Sequence, residues 1–192
     1  SIGSVTIGGT VSPAGGNFDE PVTQATLKVV GAFHGLSRER SDARKYPAIN
    51  PTESWSKYSG IIAMDRVEEA RSILKRSIEI SQMMKVVGEE GTTAEDYITY
   101  QKGELLDAVY LQQNSFDPID AADSPERQRV EFDLLYDALM QQYDLEDKDE
   151  IRSFFNQLRQ EFLDWHGTEF NSDAFEAQKN KIADFYKSKA IA

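Results

Sequence analysis

Apolar residues recur every three or four positions along most of the chain after residue 64. Between Asp65 and Val87 this spacing predicts one long helix, and Gly88 ends the run. Thr93 and Ser124 are good helix N-caps, and they open two further predicted helices over 93–113 and 124–143. Two more helices are predicted over 148–166 and 173–190. We therefore expect about five antiparallel helices that form a bundle.

The pattern before residue 56 is different. Two β-branched or apolar runs, 4–7 and 29–36, predict short strands. A short helix is expected from Asp19, as its N-cap, through Lys28, and a second short polar helix over 37–44. The segment 46–51 should be extended, because a residue that precedes proline is displaced from the helical region.

Charge and chain-breaking residues divide the chain at the same place. Residues 1–55 hold five basic and five acidic residues, so the whole net charge of −12 lies in 56–192. They also hold seven of the twelve glycines and four of the six prolines, which suits strands and turns. We predict a mainly α protein, with a small α/β part at 1–55 followed by a helical domain at 56–192.

Composition narrows the function classes. A net charge of −12 repels phosphate backbones, so nucleic acid is not an expected partner. The absence of cysteine excludes disulfides, thiolate metal sites and cysteine nucleophiles. No apolar run is long enough for a spanning helix, and 1–20 lacks the pattern of a signal peptide, so any membrane association should be indirect.

Three candidate sites fail on their chemistry. The glycine-rich segment 12–16 follows a predicted strand, but the Gly-Lys-Ser/Thr tripeptide of a phosphate loop occurs nowhere in the chain. The acidic run 144–150 lacks the central glycine of a calcium loop. His34 and His166 are far apart in sequence and lack zinc-helix spacing. The residues alone therefore predict no catalytic site and no metal site in this chain.

Three segments nevertheless match one family in the same order. The first is GSVTI at 3–7 with VSPAGGNFDEPVTQATL at 11–27, the second is RKYPAIN at 44–50 with SKY at 56–58, and the third is YLQQNSFD at 110–117. Together they resemble the catalytic A subunit of V-type and archaeal-type rotary ATPases, over nearly the whole chain. Departures at 8–10, His34 and 51–55 suggest a bacterial branch, and do not distinguish a proton from a sodium ion as the coupling ion.

The resemblance implies that this chain is the C-terminal third of such a subunit. It would contain the last strands and helices of a RecA-like nucleotide-binding domain, followed by the C-terminal helical domain. In the family, the phosphate loop and the acidic magnesium residues lie upstream. ATP or ADP with Mg²⁺ is accordingly expected in the full-length subunit, while no cofactor is expected on this part alone.

The resemblance also implies an adenine slot at the junction of the two domains. Tyr46 and Phe116 match the aromatic residues of that slot, with Pro47, Asn114 and Ser115 as lesser candidates. Aromatic faces suit this task, because a purine base stacks on them for about 1–3 kcal/mol. The alternative for both rings is an ordinary place in the core.

Partners follow from the same resemblance. The family's subunit alternates with a non-catalytic B subunit in a hexamer around a central rotor shaft, and the complex couples ATP chemistry to ion transport. Loops 12–19 and 88–96 would face the shaft, unless they are merely solvated turns. The chain is then expected on the cytoplasmic face of the membrane, attached only through the complex. Two alternatives are a non-catalytic helical interaction module and the B subunit itself.

Overall fold

The computed structural model describes residues 3–58 and 60–191. In this part of the chain the main elements are α1 (Pro21–Val29), β1 (Ala32–Phe33), α2 (Arg38–Asp42), β2 (Trp55–Ser56), α3 (Met64–Val87), α4 (Ala94–Val109), α5 (Pro125–Met140), α6 (Lys148–His166) and α7 (Asp173–Lys187). Short 3₁₀ turns lie at Ala14–Gly16 and Glu89–Gly91. The mainly α fold, with a helical part preceded by a small α/β part, is confirmed.

Side-chain caps mark where α4, α5, α6 and α7 begin, whereas α3 has none. The Thr93 hydroxyl accepts from the Asp96 N–H at 3.1 Å, and the Ser124 hydroxyl accepts from the Arg127 N–H at 3.2 Å. Each cap satisfies a first-turn amide that would otherwise have no intrahelical partner. Gly88 ends α3 with a φ of 79°, a conformation that favours glycine.

Three predicted helix ends were too long. α4 ends at Val109 rather than 113, α5 at Met140 rather than 143, and α7 at Lys187 rather than 190. The residues that follow α5 and α7 pair with each other instead, because Tyr143 and Ala190 form an antiparallel bridge. Apolar spacing marks burial, and a buried turn after a helix carries the same signal as another helical turn.

The strand predictions in the first part were wrong in extent. Residues 4–7 form no regular element, and Val5 and Ile7 are each 90% exposed. Of the predicted strand 29–36, only Ala32–Phe33 pairs, antiparallel with Trp55–Ser56. A strand requires a neighbour that completes its hydrogen bonds, and the described residues offer 4–7 none. The division at residue 55/56 stays a prediction, and β2 lies across it.

Two other local predictions can be checked. Ser37 caps α2, as expected for the polar helix over 37–44. Asp19 does not cap α1: its own N–H donates to Asn17 Oδ1, and Glu20 occupies the cap position without a side-chain bond. The segment 46–51 is non-helical, but it bends at its first two residues rather than being fully extended.

The core lies among α3 to α7. α4 packs against both α3 and α6, and α7 packs against α5 and α6. Aromatic side chains fill the centre of this arrangement, and the largest fully buried ones are Trp165, Tyr97, Tyr186, Phe162 and Phe175. A helical domain with such a core can position surface residues rigidly.

α3 and α4 lie in close contact at Gly103. A Cβ atom placed on Gly103 would overlap the Cβ and hydroxyl of Ser77 on α3. Ser77 is buried, and its hydroxyl donates to the Tyr100 carbonyl at 3.0 Å. The missing side chain at 103 therefore sets the spacing of the two helices.

Candidate functional site

The junction between the first part and the helices brings two of the matched segments together. The Gln113 N–H donates to the Tyr46 carbonyl at 3.0 Å, which places the bend at Tyr46 and Pro47 beside the end of α4. Pro47, Gln112 and Gln113 share the lining of a cavity of about 190 Å³. Nothing local in the sequence requires this approach, since the two segments lie far apart along the chain.

The predicted aromatic residues are both accessible at this junction. Tyr46 is 53% exposed and Phe116 is 96% exposed, so neither ring is sealed in the core. The two rings do not form an aromatic pair with each other among the described residues, and the cavity lining includes Pro47 but not Tyr46, Phe116, Asn114 or Ser115. The structure thus joins the two segments through the backbone, and both aromatic side chains are exposed.

Asp120 shapes the loop that carries Asn114 and Phe116. Its carboxylate accepts from the Asn114 N–H at 2.6 Å, and its carbonyl accepts from Gln113 Nε2 at 2.7 Å. The Asn114 side chain in turn accepts from the Phe116 N–H at 3.1 Å. Sequence reasoning missed Asp120, because a single acidic residue in a polar loop gives no signal that it is buried.

A buried charge cluster lies beneath the same cavity. Arg127 Nε contacts Glu131 Oε1 at 2.7 Å and Asp123 Oδ1 at 3.0 Å. The other guanidinium nitrogens donate to the carbonyls of His166, at 2.8 Å, and Thr168, at 3.0 Å. Arg127 therefore joins the first turn of α5 to the end of α6, and it is the centre of a network that sequence reasoning also missed.

Comparison with known proteins identifies the family. A family model described as the C-terminal domain of V and A type ATP synthase matches 64–155, and one described as the ATP synthase alpha/beta family, nucleotide-binding domain, matches 1–56. The V-type ATP synthase alpha chain of Borrelia turicatae is 60% identical over 191 residues, which cover 100% of this chain and 33% of that protein. The alpha chain of Treponema denticola is 60% identical over 190 residues, 99% of this chain and 32% of that protein.

The chain belongs to the V-type ATP synthase alpha-chain family. It spans about a third of the length of these curated relatives. A solved structure titled as a unique ATP synthase subunit NeqB from Nanoarcheaum equitans superposes with a TM-score of 0.53 at 18% identity, over 65% of this chain and 31% of that one. That likeness concerns the fold alone.

In this V-type alpha-chain relative, the acidic tip at 88–96 is partly neutralised by its own fold. The Glu89 carboxylate pairs with Arg152 on α6, and Asp96 pairs with Arg76 at 3.0 Å. Val86, in contrast, is 85% exposed at the end of α3. The tip therefore presents apolar surface beside its remaining acidic groups.

A second and larger groove of about 530 Å³ lies beside this tip, between α3, α4 and α6. Its walls include Lys85, Arg152 and Arg159 together with Glu89 and Glu104. None of the predicted adenine residues lines this groove, and it contains charges of both signs. We therefore place the candidate site at the smaller junction cavity rather than here.

Two absences apply to the part of the chain that the structure describes. No group of three or more His, Asp or Glu side chains there is arranged to hold a metal ion. No helix among those residues is both long and apolar enough to cross a membrane.

The electrostatics of the junction cavity are dominated by burial. Burial raises the pKa of Glu131 to about 7, an effect that Asp123 and Asp120 strengthen and Arg127 opposes. Burial also raises the pKa of Asp123 and lowers the pKa of His166. Two buried carboxyl groups, Glu131 and Asp123, share one guanidinium, so the cluster favours keeping a proton on Glu131 near neutral pH.

We expect the substitution Glu131→Gln to change the pH dependence of stability. The folded-state pKa of Glu131 lies above its unfolded value, so its contribution to stability is present at low pH and is lost as pH rises towards 7. The variant should avoid that loss and gain up to about 3 kcal/mol on the parent between pH 5 and pH 8. Urea unfolding of both chains across this range measures the difference.

The exposed Glu146 provides the control for this experiment. Glu146→Gln should leave the profile parallel to that of the parent, because its side chain lies in solvent. Parallel profiles for Glu131→Gln as well would contradict the buried-proton interpretation.

Proposed function

We propose that this chain is the C-terminal part of the ATP-hydrolysing or ATP-synthesising catalytic subunit of a membrane-associated rotary V-type ATPase. The observation that carries the proposal is 60% identity with V-type alpha chains over essentially the whole chain. The same relatives favour the alpha subunit over the B subunit, and the match of 1–56 to a nucleotide-binding domain argues against a free-standing helical module.

The chain would contribute the adenine side of the nucleotide site. Tyr46 and Phe116 would stack on the base, with Pro47, Asn114 and Ser115 around them. Support comes from the exposed rings and from the Gln113–Tyr46 backbone bond that brings the two segments together. ATP or ADP would bind with Mg²⁺, which neutralises phosphate charge. The chain lacks a Gly-Lys-Ser/Thr tripeptide, so its own residues would orient the base rather than hold the phosphates.

The remaining surfaces would face other subunits. We propose B subunits in an alternating hexamer, and a central rotor shaft that meets loops 12–19 and 88–96. The exposed Val86 and the free acidic groups of the tip suit a contact that must form and break. Nucleotide-driven closure would then swing the helical domain toward the shaft and couple the reaction to ion transport, at the cytoplasmic face of the membrane.

The adenine assignment predicts a binding defect for Phe116→Ala in the full-length subunit. Loss of one stacking face should weaken ATP or ADP binding by about 1–3 kcal/mol, roughly 5- to 150-fold, with less effect on the chemical step. Titration with a fluorescent nucleotide measures the affinity. Phe116→Tyr should retain it, and Tyr58→Ala should leave it unchanged, because the Tyr58 ring lies against Gly31 and does not line the junction cavity. Equal affinity for the parent and Phe116→Ala would remove the basis of the proposal.

The purified chain should show no ATPase activity above background. Phosphoryl transfer depends on phosphate-cradling amides, a lysine and bound magnesium, and this sequence has no phosphate-loop tripeptide to supply the first two. A coupled assay with excess Mg²⁺ tests the expectation. Hydrolysis that follows the chain through a second purification step and survives Tyr46→Ala would refute it.

A further inference from the structure

Asp107 is a buried carboxylate at the point where the two parts of the chain meet. It lies on α4, its side chain is 5% exposed, and its helix neighbours Leu105, Leu106 and Val109 are all core residues. A charged group in such a place requires partners, because desolvation without them is unfavourable.

Both partners come from the first part of the chain. Arg40 Nη1 lies 2.7 Å from Asp107 Oδ1, and Lys45 Nζ lies 2.5 Å from Asp107 Oδ2. Lys45 also lies 3.8 Å from Glu104, a more exposed carboxylate. Both basic partners of Asp107 lie at least 62 residues earlier in the chain. They link α2 and the segment after it to α4.

Few other groups contact the Arg40 guanidinium besides Asp107. The Nε and Nη2 atoms of Arg40 are buried and have no hydrogen-bond partner, and Asp107 is its ion-pair partner among the described residues. The 2.7 Å approach is an ion pair rather than an aligned hydrogen bond, since Asp107 Oδ1 also lacks a hydrogen-bond partner. Removal of the carboxylate would therefore leave a buried guanidinium without a counter-charge.

Asp107 contacts both sides of the candidate adenine site. Lys45 directly precedes Tyr46, whose carbonyl accepts from Gln113. The carbonyl of Asp107 accepts from Gln112 Nε2 at 3.3 Å, on the other side of the junction. Asp107 thus binds Lys45, the residue before Tyr46, through its side chain. It binds Gln112, in the segment before Asn114, through its backbone carbonyl.

We propose that Asp107 is a positioning residue that holds the Tyr46–Pro47 bend in register with Gln112 and Gln113. The part of this proposal that concerns binding of the adenine base rests on the proposed function. Buried ion pairs often contribute little net stability, and their best-attested role is to select one arrangement among several. In this chain the arrangement selected is the one in which the helical domain and the base-binding bend move as a unit.

The first arm of the test measures geometry in this chain. The sequence has no cysteine, so spin labels on Asp42→Cys and Glu95→Cys report one distance between the α2 region and α4. We expect a single narrow distance distribution in the parent and a broadened one in Asp107→Asn and in Arg40→Met. Arg38→Met is the matched control and should leave the distribution narrow, because Arg38 lies on the same helix as Arg40, its side chain is 94% exposed and it pairs with Asp42 rather than with Asp107.

The second arm measures binding in the full-length subunit. Asp107→Asn should weaken inhibition by ADP about 5- to 10-fold and leave inhibition by pyrophosphate, which has no base, unchanged. KM for ATP should rise with little change in kcat. A purely structural defect would alter both inhibitors together. Circular dichroism of each variant confirms that the helices are intact, and Arg40→Met gives a second route to the same result.

The outcomes separate this proposal from the proposed function. An unchanged distance distribution in both Asp107→Asn and Arg40→Met overturns the positioning role. A broadened distance distribution with unchanged inhibition by ADP also overturns the positioning role, provided that Phe116→Ala does weaken inhibition by ADP. If neither Asp107→Asn nor Phe116→Ala changes ADP inhibition, the adenine assignment itself fails, and the effect on the base fails with it.

Discussion

Arg127→Ala should lower the free energy of unfolding by about 3–5 kcal/mol, because it removes the guanidinium at the centre of a buried charge cluster. Arg127 is 3% exposed, and its loss would leave Glu131 and Asp123 buried without their cation. The carbonyls of His166 and Thr168 would also lose their donors. Urea unfolding monitored by tryptophan fluorescence measures the loss, since Trp165 lies in the same core.

Arg129 provides a matched control two residues further along α5. It is exposed and makes one long contact with the Ile61 carbonyl, at 3.3 Å. Arg129→Ala should change stability by no more than about 0.5 kcal/mol. The Arg127→Ala defect should also shrink at pH 5, where Glu131 is protonated. A loss below about 1 kcal/mol at pH 8 would mean that the cluster is hydrated and not a structural centre.

Gly103→Ala should lower the free energy of unfolding by about 3 kcal/mol, at the upper end of overpacking defects. In an open helix the same change is favourable by about 1 kcal/mol, so the sign itself is diagnostic. The new Cβ would overlap Ser77, and α3 and α4 could accommodate it only by moving apart. Thermal unfolding followed by circular dichroism at 222 nm measures the effect.

Ser77→Gly tests the cause by making room on the facing helix. Alone it should be destabilising, because it removes the Ser77–Tyr100 hydrogen bond and adds a helical glycine. In the Gly103→Ala background it should instead restore stability, which gives a favourable coupling between the two substitutions. An increase in melting temperature for Gly103→Ala alone would show that the helices are not in close contact.

The starts of α4 and α5 were predictable from the sequence, and the ends of α4, α5 and α7 were not. Thr93 and Ser124 are polar residues whose capping role depends only on neighbours three residues away. The end of α5 depends on Tyr143, which pairs with Ala190 at the other end of the helical domain. A partner so far along the chain gives no signal in the sequence around the helix end.

The same distinction separates the parts of the candidate site. Tyr46 and Phe116 could be selected from the sequence because their segments resemble a family motif. Asp107, Asp120 and Arg127 could not, because a charged residue on a predicted helix or loop is most often solvated. Their roles depend on burial and on partners far along the chain, and only the folded structure provides these.

The length of α3 has a mechanical consequence. Arg71, near its start, is fixed to the carbonyls of Pro51 and Ser54, while Val87 ends the helix at the acidic tip. Roughly 24 Å of helix separates Arg71 from Val87 at 1.5 Å per residue. If α3 moves as a stiff rod, a tilt of about 10° at Arg71 displaces Val87 by roughly 4 Å. A small rotation at the junction thus becomes a shift about the size of a side chain at the far end of α3, where Glu89 pairs with Arg152 of α6.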